Sequence, residues 1–300
     1  MGLKPQMILR LALATTLIVL GVTASDAAAE TVDIMILAET RSAPSESAPC
    51  SQRYRSVFAL KLDSADRGKA PLQTLANFPI RHAWGVSQNL RVATGDRGFP
   101  DVLQVRYPEG SYNPGSKGAP LGGAGFQMPV LTRTAVTAAC LAYAVRFPVN
   151  FDFRKGGKLP GLYGGVAPSG CRTYGEDDGF SLRYMWRAHG AGELYAYLPD
   201  RNERCGASIS RGAWTFPTGR WLRLEQEAVL NHVGREDGTI HVWVDGRLVV
   251  SRAGLVFRRS DRIGVAGLMF STFFGGSDPT WASPSDQTVE FADIRIYQRD

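Results

Sequence analysis

Eight short runs dominate this chain: VLQVRY (102–107), CLAYAVRF (140–147), FSLRYMWR (180–187), ELYAYL (193–198), RWLRLEQEAVL (220–230), TIHVWV (239–244), RLVVS (247–251) and VEFADIRIY (289–297). Each alternates apolar and polar residues or is rich in β-branched and aromatic side chains, the mark of a strand with one buried face. No long helical apolar period lies between them, because 33 glycines and 17 prolines punctuate the chain throughout. Strands of this kind bury their apolar faces by packing sheet on sheet. The pattern therefore predicts an all-β protein, a jelly-roll sandwich of two antiparallel sheets. Asp245-Gly246, inside VWVDGRLVV, supplies the positive φ angles of a tight hairpin turn. At 300 residues the chain is long enough for one large sandwich domain, expected over residues 76–300.

The beginning of the chain reads differently. Lys4 and Arg10 precede an apolar run from Leu11 to Ala24, followed by Ala27-Ala28-Ala29, as in a secretory signal peptide cleaved near Ala29. The run is too short to span a bilayer comfortably, and no other segment is apolar enough, so no stable membrane insertion is expected. A secreted or periplasmic protein follows. TVDIMILAET (31–40) reads as a strand and RSAPSESAPCSQ (41–52) as a polar connector; residues 30–75 form an N-terminal extension without an assigned role. Four cysteines, Cys50, Cys140, Cys171 and Cys205, lack the CxxC spacing of a zinc site, so in an exported chain disulfides are expected. Cys171 with Cys205 is the preferred bridge, worth roughly 3 to 4 kcal/mol by chain entropy. Cys140 either pairs with Cys50 or is simply buried.

Formal net charge is +6, of which Lys4, Arg10 and Asp26 in the leader contribute one, leaving about +5 and a preference for anionic partners. The basic residues are scattered, and neither a nucleic-acid motif nor a cofactor motif occurs. An acidic polysaccharide fits better than nucleic acid. His82, His189, His232 and His241 show no metal-ligand spacing and are read as surface or packing residues.

Candidate chemistry concentrates in FSLRYMWRAHGAGELYAYLP (180–199). Ser181, Arg183, Met185 and Arg187 share one strand face, with Phe180, Leu182, Tyr184 and Trp186 on the other; Glu193, Tyr195 and Tyr197 share a face of the next strand. A turn over AHGAG would set Arg187 opposite Glu193, Met185 opposite Tyr195 and Arg183 opposite Tyr197. Such a patch is either the solvated outer face of a sheet or a sugar-binding face with acid–base groups, and charge pattern does not separate the two. Upstream, GGKLPGLYGG reads as a tight, glycine-rich connection that holds Lys158 over the neighbouring sheet. It is no nucleotide cradle, since Asp152 stands at the first glycine position of GxxxxGK[ST] and Leu159 follows the lysine.

GGKLPGLYGG, SLRYMWR, GAGELYAYLP, SRGAWTFPTGRW and FSTFFGGSDPTWA, in that order, resemble polysaccharide lyase family 14, alginate and glucuronan lyases on a β-jelly roll, with RYPEGSY marking the start of the likeness near Val105. The resemblance implies Lys158, the Ser181–Arg183 pair and the Tyr195–Tyr197 pair as catalytic residues. His189 departs from the acidic or neutral turn residue expected there. Removing the C5 proton of a 4-linked uronate requires its carboxylate to be neutralised, which suits Arg183 and Lys158, with Ser181 adding a hydrogen bond. Tyr195, Tyr197 or Lys158 would move the protons, the tyrosines if nearby cations lower their pKa. No metal or other cofactor is needed. Arg187, Glu193 and Arg211 are candidate substrate contacts, although Arg211 also suits pairing with a surface acid. The aromatics of FSTFFGGSDPTW form either a mobile sugar-stacking loop or a strand followed by a glycine turn. The alternative function is a non-catalytic acidic-polysaccharide-binding protein on the same fold. A hydrolase is disfavoured, because Glu176, Asp177 and Asp178 lie in a turn-like run rather than at strand spacing.

Overall fold

The computed structural model describes residues 47–131, 136–171, 175, 178–199 and 205–299; the leader and TVDIMILAET lie outside the described residues. Within them run β1 (Arg55–Ala59), β2 (Arg81–Trp84), β3 (Leu90–Thr94), β4 (Asp101–Tyr107), β5 (Ala124–Met128), β6 (Ala138–Arg146), β7 (Gly156–Gly165) and β8 (Gly179–Arg187). They are followed by β9 (Gly192–Tyr197), β10 (Ala207–Ile209), β11 (Trp221–Val229), β12 (Gly238–Val244), β13 (Arg247–Leu255), β14 (Val265–Phe274) and β15 (Gln287–Gln298). Helix is confined to single turns such as Cys50–Arg53. Among the described residues no helix is long and apolar enough to cross a membrane.

The strands form two antiparallel sheets, as the alternating runs require. One has the order β13-β12-β11-β6-β15-β4-β3, with β1 also paired to β15; the other has the order β10-β9-β8-β7-β14-β5-β2. Inward side chains of both meet in one core, among them Leu141, Tyr143 and Val145 from β6, Phe291 from β15, Leu182, Tyr184 and Trp186 from β8, and Phe270 from β14. Each of the eight strand-like runs lies in a strand, overrunning it by at most one residue at either end. Asp245 and Gly246 turn between β12 and β13 with φ of 48° and 77°.

GGKLPGLYGG departs from expectation. It is no connecting loop but β7, in the interior of the seven-stranded sheet between β8 and β14. A proline inside a central strand removes a ladder donor and normally marks a bulge. Here the pairing with β8 slips between Leu159 and Gly161. The disturbed ladder is completed from the opposite sheet: the wholly buried Gln226 of β11 accepts the Leu162 N–H at 2.8 Å and donates to the Leu182 carbonyl at 3.2 Å. Tyr143 Oη donates to the Pro160 carbonyl at 3.1 Å. Glycine is obligatory at 161, where a Cβ would lie 1.5 Å from the Leu182 carbonyl oxygen. We expect Gln226→Leu to cost about 2–4 kcal/mol, because it orphans a buried N–H and a buried C=O together. Urea unfolding midpoints of the two proteins measure this, and an unchanged midpoint would show that the bulge does not depend on Gln226.

From Ser47 onward the N-terminal extension belongs to the sandwich. Cys50 is bonded to Cys140 on β6, which decides the pairing left open by the sequence, and Ser51 donates from both N–H and Oγ to Glu225 at 3.0 and 2.8 Å. Arg53 pairs with Glu227 at 2.7 Å. The second disulfide joins Cys171 to Cys205. Residues 270–281 resolve into the end of β14 and a glycine turn: Phe270 and Phe274 enter the core, and Phe273 is left on the outward face.

Candidate active site

The outward face of β7, β8 and β9 is where the candidate residues meet. On β8 the even positions 180 to 186 point into the core, as the alternation requires, which leaves Ser181, Arg183, Met185 and Arg187 outward. On β9 Leu194 and Ala196 point inward and Glu193, Tyr195 and Tyr197 outward. The pairing of these strands corrects the expected register by two residues: Ser181 stands opposite Tyr197, Arg183 opposite Tyr195 and Met185 opposite Glu193. The turn is tighter than AHGAG. His189 and Gly190 both take left-handed backbone, with φ of 59° and 77°, and Arg187 N–H already bonds the Ala191 carbonyl at 2.7 Å. A slip of two keeps every side chain on its face, so the patch survives the correction.

β7 adds Lys158, in register with Met185 on one side and Phe273 on the other. Its ammonium lies 3.6 Å from the centre of the Tyr195 ring and donates to the Met185 sulfur at 2.6 Å. Burial, followed by the charges of Arg183 and Arg187, holds the Lys158 pKa well below its ordinary value, and the more distant Glu193 opposes this only weakly. The Tyr195 ring face favours the protonated form, but desolvation and two neighbouring guanidiniums outweigh it. Tyr195 is displaced the other way: burial and the adjacent Tyr197 push it up to about 12 against the smaller opposing effects of a hydrogen bond from the Gly206 backbone and the charge of Arg187. The expectation that nearby cations lower the tyrosine pKa is thus not met at Tyr195.

This face is not a solvated sheet surface. Ser181 and Glu193 are 0% exposed and Arg183 is 3% exposed, because the segment around residues 166–171 covers part of it and β10, tied to that segment through the Cys171–Cys205 disulfide, borders it beyond β9. Ser181 Oγ donates to the Pro168 carbonyl at 2.6 Å, and the Tyr197 hydroxyl accepts the Cys171 N–H at 3.2 Å, so both tie the covering segment down. Glu193 is an internal anchor. It receives Arg187 Nε at 2.8 Å and Nη2 at 2.5 Å, Ser208 Oγ at 2.6 Å and Arg211 Nε at 2.6 Å. Burial alone would raise its pKa; these donors bring it below the ordinary carboxylate range. Arg211 is otherwise exposed and serves this pairing. The sequence set Met185 opposite Tyr195 on the correct face and named Phe273 only among the aromatics of FSTFFGGSDPTW; Ser208 was missed, because its position depends on a strand pairing that periodicity does not encode. Among the described residues, the one grouping that brings three potential metal ligands together is Cys50, Cys140 and Glu225, on and against strands β6 and β11 of the other sheet and with its two sulfurs bonded to each other.

Comparison with known proteins settles the family. The family model for polysaccharide lyase 14 matches residues 96–294. The chain belongs to this family. It is 33% identical to the marine alginate lyase of family 14 from Aplysia kurodai, with a TM-score of 0.67 over 81% of this chain and 99% of that one. The alginate lyase vAL-1 from Chlorella virus has the same fold at 21% identity, with a TM-score of 0.66 over 81% of this chain and 100% of that one. An endo-β-1,4-glucuronan lyase from Trichoderma reesei shares the fold at 12% identity, with a TM-score of 0.51 over 75% of this chain and 92% of that one. A search of curated proteins returned no match. This family-14 protein is a polysaccharide lyase.

Proposed function

We propose that this lyase is exported and cleaves a 4-linked uronate polymer by β-elimination, with Lys158 as base and Tyr195 as acid. The observation that carries this reading is the contact of Lys158 with Tyr195, two groups whose pKa values burial first, and neighbouring groups second, displace in opposite directions. A lysine held low reaches its neutral amine form at a lower pH than an ordinary lysine, and a tyrosine held high keeps its proton until it is needed. Such divergence is how two adjacent groups divide acid and base work.

The step balances. The Lys158 amine takes the C5 proton, the C–H electrons form the C4=C5 double bond, the C4–O4 bond breaks, and O4 takes the Tyr195 hydroxyl proton. The ammonium left behind lies over the ring that carries the phenolate, and the proton returns from nitrogen to oxygen through solvent before the next turnover. The C5 proton is acidic enough only when the uronate carboxylate is neutralised, a role for the positive potential of Arg183 and Arg187 in place of a divalent cation. Arg187 is aimed by its two bonds to Glu193. Tyr197 and Ser181 act indirectly here, by fixing the covering segment.

Alginate is the first substrate to try, because the protein from Aplysia kurodai, at 33% identity, is an alginate lyase; glucuronan is the second. Export is supported by the apolar leader and by two disulfides. The test is to incubate the exported protein, whose mass should place cleavage near Ala29, with polyguluronate, polymannuronate and glucuronan. Ultraviolet absorbance from the new C4=C5 bond should rise with at least one polymer. Binding without any rise in absorbance would instead indicate a non-catalytic polysaccharide-binding protein.

A further inference from the structure

The outward face that carries Lys158 continues across β14, β5 and β2, and there it holds a second depression of about 380 Å3, bordered by His82, Trp84, Gln127, Ala167, Ser169 and Ser271. Its floor is built for an aromatic side chain. Trp84 registers with Gly125, and a Cβ at Gly125 would lie 2.3 Å from the indole nitrogen, so glycine is what lets the ring lie against the sheet. The pairing of β2 with β5 slips between Arg81 and Trp84, with His82 in left-handed backbone at a φ of 52°. Because of that slip Arg81 and Trp84, three residues apart, both register with outward positions of β5, Gln127 and Gly125. Arg81 and His82 are exposed, and the charge of Arg81 reaches the Tyr163 hydroxyl on β7. Among the described residues, none of those that border it is acidic.

The depression and the Lys158 cluster share one surface. Trp84 packs edge to face against Phe273 at 5.7 Å, and Phe273 is the direct cross-strand partner of Lys158. From β2 to β7 is three strand spacings, roughly 14 Å, a span of a few sugar rings. Residues 166–169 wall the depression on one side, and in the same segment the Pro168 carbonyl receives Ser181 Oγ. The family match begins at residue 96, so Arg81, His82 and Trp84 lie ahead of it.

We propose that this depression is a second uronate-binding site on the same groove, in which a sugar ring several units from the bond being cleaved stacks on Trp84 while Arg81 and His82 receive its carboxylate. The proposal rests on the polyuronate reading of the Lys158 cluster. An aromatic face beside the Arg81 guanidinium and the His82 imidazole, with an amide and a hydroxyl at the edge and no carboxylate among the described residues that border it, matches a sugar with one apolar ring face and one negative charge.

The test compares alginate hexasaccharide with alginate trisaccharide in the wild type, Trp84→Ala and Arg81→Gln. The hexasaccharide-to-trisaccharide ratio of kcat/KM should fall about tenfold in Trp84→Ala and several-fold in Arg81→Gln, since only the longer chain reaches the depression. Arg81 is exposed, so its variant remains informative if Trp84→Ala folds poorly. Ratios within about twofold of wild type in both variants would overturn the proposal. A second measurement is independent of turnover: in a Lys158→Ala background, the Kd for the hexasaccharide should rise about tenfold when Trp84→Ala is added. An unchanged Kd, or no binding at all, would overturn the site. If the wild type cleaves no polyuronate but this difference in Kd is found, the site stands and the lyase assignment of Lys158 and Tyr195 falls. If the wild type cleaves alginate and the ratio is unchanged, the site falls alone.

Discussion

Replacing Lys158 by alanine should lower turnover on polyuronate about a thousandfold and leave the protein folded. The side chain makes no salt bridge that its loss would break; its contacts are the Met185 sulfur and the Tyr195 ring. Lys158→Arg should be as inactive as the alanine variant, because a guanidinium cannot become a neutral base at working pH. Arginine rescue would instead make the lysine a purely electrostatic group. The pH profile separates the two roles again. With the lysine as base, wild-type kcat/KM rises with pH as the amine form accumulates, over a range below the ordinary lysine value. Stability follows the same group. Between the depressed folded value and the unfolded value near 10.4, the unfolded chain binds more protons than the folded one, so wild-type stability rises with pH across that window. Lys158→Ala lacks that contribution, so the wild-type urea midpoint should rise relative to the variant's as pH rises through the window. Parallel midpoints would show that Lys158 is not depressed.

What the sequence made legible here was parity. Alternation fixes which side chains share a face, and Ser181, Arg183, Tyr195 and Tyr197 came together because a strand has period two. It does not fix register. Moving Arg183 from opposite Tyr197 to opposite Tyr195 keeps every residue on its face, so the pattern is blind to a slip of two, and the left-handed pair at His189 and Gly190 is what decides it. GGKLPGLYGG misled for a related reason. Its glycines and proline carry loop chemistry locally, but they sit in a central strand because close neighbours need the missing Cβ atoms and because Gln226, 65 positions from Gly161, restores the broken ladder. Local composition cannot report a hydrogen bond supplied by the other sheet. Trp84 was hidden in the same way, since a bulge at His82 breaks the alternation that would have aligned it with Arg81. The covering segment was also invisible to periodicity, although together with β10 it turns an ordinary outer face into a site with a fully buried Glu193 and a nearly buried Arg183.

The two tyrosines, equivalent by pattern, are expected to separate sharply by mutation. Tyr195 is half-buried beneath the Lys158 ammonium, whereas Tyr197 is 1% exposed and its hydroxyl accepts the Cys171 N–H. Tyr195→Phe keeps the ring that contacts Lys158 and Tyr197 and removes only the hydroxyl with its hydrogen bonds to the Gly206 backbone and Tyr197, so turnover should fall about a hundredfold or more at a stability cost near 1 kcal/mol. Tyr197→Phe instead removes one tether of the covering segment, with an expected cost near 1 kcal/mol in stability and a smaller loss of turnover. The leaving group supplies the discriminating measurement. A uronide with an aryl group at the cleaved position departs without a proton, so it should restore most of the rate lost in Tyr195→Phe and none of that lost in Lys158→Ala. Equal rescue of both would mean that one group carries both proton transfers, and no rescue of Tyr195→Phe would assign that hydroxyl to holding the sugar. In wild type the alkaline limb should lie far above neutrality, because Tyr195 keeps its proton until about pH 12, and losing it there removes the acid and ends turnover.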